Sequence, residues 1–361
     1  MEILVGKSKT GKSRYIYNLM KENLQEGIIP ILFVPSQKRE ITEINYMNTL
    51  KVDGIIGTKI TTISNYISII CKEQNIHFDD NYITKLDKKV ILNKIIMENQ
   101  DKFNVFKKVS NKQGFLDLLN IYMDIFRKEG LDKEKIYNTS LTNKILEEKL
   151  KEVYGIYQIY EQSIENKYVD NVDEIDLILK NQSEILRYFE NSVVYIDGYN
   201  NFTNIEYKFI EFLVKNNIKI VLSLTTDITC VQDIYEENSN DIFEEPNKTY
   251  LRLLKIISKY HSSQNTEVFL NNFLNTTEQI KYLGQNIFEN LYGMYEPKSN
   301  EKSVFVSSFQ NVYDETQKIA NIISKELKNG KRYKDFAIYT TNLDDYAFLI
   351  SRIFSDYNIP F

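Results

Sequence analysis

The feature that most constrains the fold of this chain is a glycine-bearing loop near its start. Residues 6–13, Gly-Lys-Ser-Lys-Thr-Gly-Lys-Ser, match the pattern G-x-x-x-x-G-K-[ST] at every fixed position. The loop follows the apolar run Ile3–Val5 and precedes a segment with helical spacing from Lys12 to about Asn23. This order of strand, loop and helix predicts a phosphate-binding loop that opens an α/β domain.

Each residue type in this loop has a chemical reason to be there. Two glycines let the backbone curl so that successive N–H groups converge on phosphate oxygens, at the positive end of the following helix dipole. Lys12 supplies a charge for the β- and γ-phosphates, and the Ser13 hydroxyl can bind Mg²⁺. The predicted ligand is ATP with Mg²⁺, and the predicted nucleotide-binding residues are Gly6, Lys7, Ser8, Lys9, Thr10, Gly11, Lys12, Ser13 and Arg14.

Strand and helix signals alternate through two separate parts of the chain. Ile28–Val34, Ser192–Ile196 and Ile218–Leu224 are apolar runs typical of buried parallel strands. Helical spacing occupies Glu40–Leu50 and Asn204–Lys215. The pattern predicts a RecA-like α/β core built from residues 1–72 and 191–300.

The rest of the chain differs from this core. Residues 73–190 have mostly helical spacing, which predicts a helical subdomain inserted into the core. Residues 226–300 are polar and predicted mostly helical. Residues 301–361 are predicted to begin a second, truncated α/β unit, with strands at 304–309 and Phe336–Thr340.

The second chemical motif is the strand end at Asp197. An aspartate there holds Mg²⁺ in phosphate-loop proteins, although an Asp-Gly turn after an ordinary strand is the alternative. Active helicase-type ATPases place a glutamate directly after this aspartate, to orient the attacking water, whereas this chain has Gly198. Glycine has no side-chain acceptor, so we predict nucleotide binding without efficient hydrolysis and assign no catalytic residue. The predicted metal-binding residues are Ser13 and Asp197.

Charge excludes a surface that is basic throughout. The chain has 45 basic and 50 acidic side chains, a net charge of −5, so any contact with nucleic acid has to come from a local patch. One candidate is Lys85–Lys112, with eight lysines and three acids. The interpretation we favour for this stretch is a solvated helix face.

Metal clusters and membrane insertion find no support in the sequence. The two cysteines, Cys71 and Cys230, and the two histidines, His77 and His261, lack any metal-ligand spacing. The apolar runs are too short to cross a bilayer, and Gly6 and Lys7 interrupt the first of them too early for a signal peptide. We therefore expect a cytoplasmic protein without a membrane partner.

Several further segments follow a recognisable order. They are Phe33–Gln37 with Glu43, Lys59–Ser64, Ile196–Tyr199 with Phe202, Thr203 and Glu206, Arg332–Ile338, and Tyr357–Phe361. Together with the phosphate loop, they resemble the AddB family, the B subunits of bacterial ATP-dependent helicase/deoxyribonucleases. The resemblance runs along the whole chain and corresponds to the first third of such a protein.

The resemblance implies a core of the superfamily-one helicase type in an enzyme that processes DNA ends. The family acts in double-strand break repair by homologous recombination, as a heterodimer with an A subunit that is itself a helicase/nuclease. Its substrates are single strands and duplex ends of DNA. Its nuclease domain carries an iron–sulfur cluster and lies in a C-terminal part that this chain lacks. By motif position, the DNA-facing residues would be Ser36, Gln37, Lys38, Thr62 and Ser64.

The sequence also lacks several motifs that active helicases have. The run Leu222–Asp227 lacks a Gly-Asp-x-x-Gln pattern, and no arginine finger can be assigned. These absences suit a degenerate motor with a surviving phosphate loop. Three alternatives remain open: an active superfamily-one DNA helicase, a phosphate-loop kinase or transferase, and a scaffold whose loop binds nothing.

Overall fold

The computed structural model describes residues 1–74, 83–100, 103–110, 112–130, 133–138, 142–165, 167–168, 173–180, 182–227, 242–260, 266–270, 276–286, 296 and 302–361. The chain divides into two compact units, Met1–Asn275 and Thr276–Phe361. His77, Cys230 and His261 lie outside the described residues.

A six-stranded sheet forms the centre of the first unit. Its strands are β1 (Glu2–Gly6), β2 (Ile29–Phe33), β3 (Lys59–Thr61), β4 (Ser192–Ile196), β5 (Ile220–Thr225) and β6 (Thr266–Phe269). They lie in the order β3-β2-β4-β5-β1-β6, and the five described pairings are all parallel. The carboxyl ends of all six strands therefore lie at one side of the sheet, which we call the carboxyl edge.

Helices cover both faces of this sheet. Those of the first unit are α1 (Lys12–Gln25), α2 (Arg39–Leu50), α3 (Ile63–Glu73), α4 (Lys85–Glu98), α5 (Gln113–Glu129), α6 (Lys133–Asn138), α7 (Lys144–Ile164), α8 (Asp173–Lys180), α9 (Gln182–Leu186), α10 (Asn204–Lys215) and α11 (Glu244–Tyr260). Alternate strand residues belong to two different cores: Ile3 and Val5 pack with α3, α8, α10 and α11, and Leu4 packs with α1 and α2. Burial on both faces explains the continuous apolar runs of the strands.

Helices α4, α5, α6 and α7 form a separate helical block with its own core. Leu92 and Ile96 of α4, Leu119 and Met123 of α5 and Tyr160 of α7 are buried there. Helices α8 and α9 instead contribute to the core on the sheet. All regular elements described between residues 74 and 191 are helical, as their spacing predicts.

Strand β6 was not predicted. Thr266–Phe269 lies within a stretch that we expected to be mostly helical, yet it pairs in parallel with β1. Four residues, one of them the charged Glu267, carry too little alternation to be read as a strand.

The second unit contains three helices, α12 (Glu278–Asn286), α13 (Val312–Lys328) and α14 (Leu343–Asp356). Helices α13 and α14 share a small core with Ile359. The prediction of strands at 304–309 and 336–340 was wrong, because neither segment pairs with another strand among the described residues. Val306 is 95% exposed and Tyr339 93% exposed. An apolar run becomes a strand only beside a hydrogen-bonding partner.

Candidate functional site

The phosphate-loop sequence connects β1 to α1 at the carboxyl edge. Gly6 ends β1 where a Cβ would lie 2.5 Å from the carbonyl oxygen of Leu270, just beyond β6. Gly11 precedes α1 with a φ of +96°, in the left-handed region that favours glycine. Both fixed glycines of the motif therefore have a structural reason in this fold.

Lys12 points back into the loop from the first position of α1. Its side chain is buried, with 7% of the residue exposed, and its ammonium donates to the carbonyl oxygens of Gly6 (2.6 Å) and Lys7 (2.7 Å). Burial lowers the pKa of Lys12 to about 8, while Asp197 raises this pKa and Lys38 lowers it further. A buried cation with a depressed pKa gains stability from a phosphate anion placed beside it.

Asp197 follows β4 and is buried at the carboxyl edge. Its Oδ1 accepts a hydrogen bond from the hydroxyl of Ser223 on β5. Because β5 lies between β4 and β1, Asp197 stands one strand away from the phosphate loop. Ser13 is half-buried in the first turn of α1, and Arg14 is exposed.

The hydroxyl of Ser13 and the carboxylate of Asp197 suit Mg²⁺, which prefers oxygen ligands and keeps water and substrate phosphates as its other ligands. Among the residues that the structure describes, no group of three or more His, Cys, Asp or Glu side chains could hold a metal by itself. A magnesium ion here would therefore depend on the phosphates of the nucleotide.

Gly198 directly follows Asp197 with a φ of +81°, again in the left-handed region. A Cβ at this position would lie 3.0 Å from both Cδ and Nζ of Lys38. The ammonium of Lys38 is 3.5 Å from the carbonyl oxygen of Gly198. The backbone and Lys38 together thus favour glycine at the position where active ATPases have glutamate.

Thr203 and Glu206, part of the segment that resembles the AddB family, form a capping box on α10. The backbone N–H of Thr203 donates to the Glu206 carboxylate (2.8 Å), and the N–H of Glu206 donates to the Thr203 hydroxyl (3.4 Å). This glutamate follows Asp197 in sequence but caps a helix, so it is not available as a base.

Sequence reasoning missed an ion pair at the same edge. The ammonium of Lys7, in the phosphate loop, lies 2.7 Å from a carboxylate oxygen of Asp227, which follows β5. Asp227 resembles Asp197 in coming just after an apolar strand, and that signal could have identified it. Its neighbour Thr226 donates a hydrogen bond to the buried side chain of Asn247 on α11.

The five residues proposed to face DNA follow β2 and β3 at the carboxyl edge. Ser36, Gln37 and Lys38 form an exposed 3-10 turn. Thr62 is the N-cap of α3, where its hydroxyl accepts from the backbone N–H of Asn65 (3.1 Å), and Ser64 is exposed. Strand β2 pairs with both β3 and β4, so these residues belong to the same edge as Asp197.

The basic stretch Lys85–Lys112 contains several ion pairs. Lys88 lies 2.7 Å from Asp124, Lys89 lies 2.5 Å from Asp117, and Lys94 lies 3.9 Å from Glu98. Carboxylates of α4 and α5 thus compensate these three lysines, which argues against a DNA-binding patch there, and Lys88 is buried rather than solvated.

The remaining side chains named from the sequence do not form a site. Cys71 is buried, and this burial raises the pKa of its thiol to about 12. None of the helices in the described ranges is both long and apolar enough to span a membrane.

The chain is an α/β protein with a parallel sheet flanked by helices and a phosphate-loop sequence at the carboxyl edge. This arrangement is compatible with a RecA-like core. A sequence model of the family described as "ADDB, N-terminal" matches residues 3–284. The chain therefore belongs to this family, and the resemblance read from its sequence is confirmed.

Proteins similar to this chain are about three times as long. The B subunit of the ATP-dependent helicase/deoxyribonuclease of Acetivibrio thermocellus is 28% identical over 370 residues, which cover 100% of this chain and 32% of that protein. The protein with the same name from Listeria monocytogenes is 25% identical over 364 residues, covering 100% and 31%. That from Caldanaerobacter subterraneus is 26% identical over 369 residues, covering 100% and 31%. The chain thus spans about a third of the length of these relatives.

Proposed function

We propose that the chain is the ATP- and DNA-binding part of the B subunit of an ATP-dependent helicase/exonuclease, which processes DNA ends in double-strand break repair by homologous recombination. Its partner would be the helicase/nuclease that forms the A subunit. The protein would be located in the cytoplasm, and its core would be of the superfamily-one type. The domain boundaries proposed from the sequence, 1–72 with 191–300, 73–190 and 301–361, belong to this proposal. An iron–sulfur cluster and a nuclease active site would belong to the part of such a protein outside this chain.

One observation carries the nucleotide part of the proposal. The phosphate loop, Lys12 and Asp197 share one edge, while the position after Asp197 has a left-handed backbone occupied by glycine. Residues 6–14 would hold the nucleotide, Ser13 and Asp197 its Mg²⁺, and Gly198 would supply no base for water. This arrangement favours ATP binding with little hydrolysis.

The DNA part rests on the same edge. Lys38 extends from the exposed turn after β2 toward Gly198, so a strand bound along Ser36–Lys38 and Thr62–Ser64 would lie beside the nucleotide. A nucleotide could in this way alter how firmly the chain holds DNA.

The test is Mg·ATP binding by calorimetry for the wild-type chain and Lys12→Ala, with phosphate release followed with and without single-stranded DNA. We expect the wild type to bind without appreciable turnover. Losing a charge-assisted contact should weaken binding by about tenfold to a hundredfold in Lys12→Ala. Lys21→Ala is the matched control, because it removes a lysine of the same helix outside the loop.

Other results of this experiment would favour a different function. Rapid turnover stimulated by DNA would favour an active superfamily-one helicase. Phosphate transfer to a nucleoside would favour a kinase or transferase. Equal affinity of the wild type and Lys12→Ala, or no binding by either, would contradict the proposed site in this chain.

A further inference from the structure

The ion pair between Lys7 and Asp227 belongs to the phosphate loop itself. Lys7 is the first loop residue after β1, and its ammonium is 2.7 Å from Asp227. The two side chains are only 20% and 9% exposed. The pair is therefore shielded from the solvent screening that weakens most surface ion pairs.

The sheet register brings these two residues together. Strand β1 pairs with β5 so that Gly6 lies opposite Thr225, and Lys7 and Asp227 follow at the ends of the two strands. The backbone of Lys7 is held in the loop, because its carbonyl accepts from Lys12 (2.7 Å) and from the Thr10 hydroxyl (2.9 Å). The Lys7 side chain is the part that can change partner while the loop keeps its shape.

The position of β5 decides which phosphate Lys7 would meet. Strand β5 separates the loop from Asp197. Ser13 and Asp197 would hold a Mg²⁺ that neutralises charge on the terminal phosphates of the nucleotide. A phosphate held by the loop, with Ser13 and Asp197 holding its Mg²⁺, would therefore lie on the β5 side, where Lys7 and Asp227 lie.

We propose that Lys7 is a second phosphate-binding lysine, which leaves Asp227 for the terminal phosphate when Mg·ATP binds. This inference rests on the proposed function, since it requires that the loop binds ATP. Asp227 and the terminal phosphate are both anions, and they compete for one ammonium. The carboxylate therefore lowers the affinity for ATP and leaves the affinity for ADP, which lacks that phosphate, nearly unchanged.

The experiment is a double-mutant cycle on the whole 361-residue chain. Calorimetry would measure Mg·ATP and Mg·ADP binding for the wild type, Lys7→Met, Asp227→Asn and the double variant. Methionine keeps the alkyl length of lysine without its charge, and asparagine keeps the shape of aspartate. Lys21→Met is the control, because it makes the same replacement in α1, outside the loop. Circular dichroism would verify that each variant is folded.

We expect Asp227→Asn to tighten Mg·ATP binding by about threefold to tenfold and Lys7→Met to weaken it by about tenfold. Mg·ADP binding should change by less than about twofold in each variant, and Lys21→Met should bind both nucleotides much like the wild type. In the Lys7→Met background, Asp227→Asn should have little further effect on Mg·ATP, because the ammonium for which the two anions compete is gone.

Several outcomes would overturn the inference. If Asp227→Asn tightens Mg·ATP equally with and without Lys7, the carboxylate acts by repulsion alone. If Lys7→Met or Asp227→Asn leaves the ratio of ATP to ADP affinity unchanged, Lys7 does not bind the terminal phosphate. The proposed function survives both results as long as Lys12→Ala still weakens binding. Absence of Mg·ATP binding by the wild type would overturn both proposals. If Asp227→Asn does not fold, the effect of Lys7→Met on the ratio of ATP to ADP affinity decides whether the inference holds.

Discussion

The carboxyl edge of the sheet and the helical block α4–α7 both contain lysines paired with carboxylates, yet the two regions use them differently. In the helical block, Lys88 and Lys89 of α4 join Asp124 and Asp117 of α5. At the carboxyl edge, Lys12 donates to two backbone carbonyls of the loop, and burial depresses its pKa. Lys88 and Lys89 of the basic stretch thus join two helices, whereas Lys12 lies buried in the loop that we predict to bind phosphate.

This difference teaches that the position of a charge in the fold matters more than its frequency in the sequence. A lysine whose carboxylate partner lies on a neighbouring helix is compensated within the protein. Lys12, buried against carbonyls, is compensated only in part by Asp197 and is stabilised further by an added anion. The following predictions test the comparison, starting with the largest effect.

Replacing Lys12 by methionine should stabilise the folded chain near neutral pH. With a folded-state pKa of about 8 and an ordinary value of 10.5, the protonated form is disfavoured in the folded state. The penalty is fully present below pH 8 and disappears as the pH rises from 8 to 10.5, because the unfolded chain binds the extra proton in that window. We expect Lys12→Met to raise the free energy of unfolding at pH 7 by less than the roughly 3 kcal/mol that the pKa shift represents, because the carbonyl oxygens of Gly6 and Lys7 lose their donor.

Urea unfolding at about pH 7 and about pH 9.5 measures this effect, and the gain from Lys12→Met should shrink at the higher pH. Lys88→Met is the control in the helical block, since Lys88 is equally buried but paired with Asp124. It should not stabilise the chain at either pH. A stabilised Lys88→Met, or a destabilised Lys12→Met, would remove the distinction between the two regions.

Introducing the missing glutamate should not restore a motor. Gly198→Glu forces a side chain into a left-handed backbone, which costs about 1–2 kcal/mol, and brings its Cβ to Lys38. Gly27→Glu is the matched control, because Gly27 has a similar φ of +76° with nothing within 4 Å of its Cβ. We expect Gly198→Glu to be the less stable variant in urea unfolding. Phosphate release with DNA above the wild-type level would contradict this account of Gly198.

The smallest effect concerns DNA. If the carboxyl edge contacts DNA and the helical block does not, Lys38→Ala should reduce the slope of log affinity against log salt by about one. Lys89→Ala, in the block, should leave that slope unchanged because Asp117 already neutralises Lys89. Fluorescence anisotropy with labelled single-stranded DNA at several salt concentrations measures both. If only Lys89→Ala reduced the slope, the helical block rather than the carboxyl edge would contact DNA.

Much of the first unit could be predicted from the sequence, because its signals are local. The apolar runs that became β1, β2, β4 and β5 are continuous, since helices bury both faces of the sheet. The loop motif and the strand end at Asp197 are also local patterns. The parallel sheet then brings Gly6–Ser13, Asp197 and Ser36–Lys38 to one edge without further information.

What escaped prediction depends on contacts between distant segments. The strand character of Thr266–Phe269 comes from pairing with β1, and the segments at 304–309 and 336–340 remain unpaired for want of a neighbour among the described residues. The proximity of Asp227 to Lys7 requires the order of β5 and β1 in the sheet. The left-handed backbone at Gly198 and the approach of Lys38 likewise arise only from the packed structure.

The turn at Gly198 also has an evolutionary consequence. A glutamate at this position would carry a backbone cost of about 1–2 kcal/mol and would approach the side chain of Lys38 closely. Changes in the loop after β4 and in the turn after β2 would together relieve this cost. Under the proposed function, a single substitution to glutamate would therefore lower stability before it could supply any chemistry.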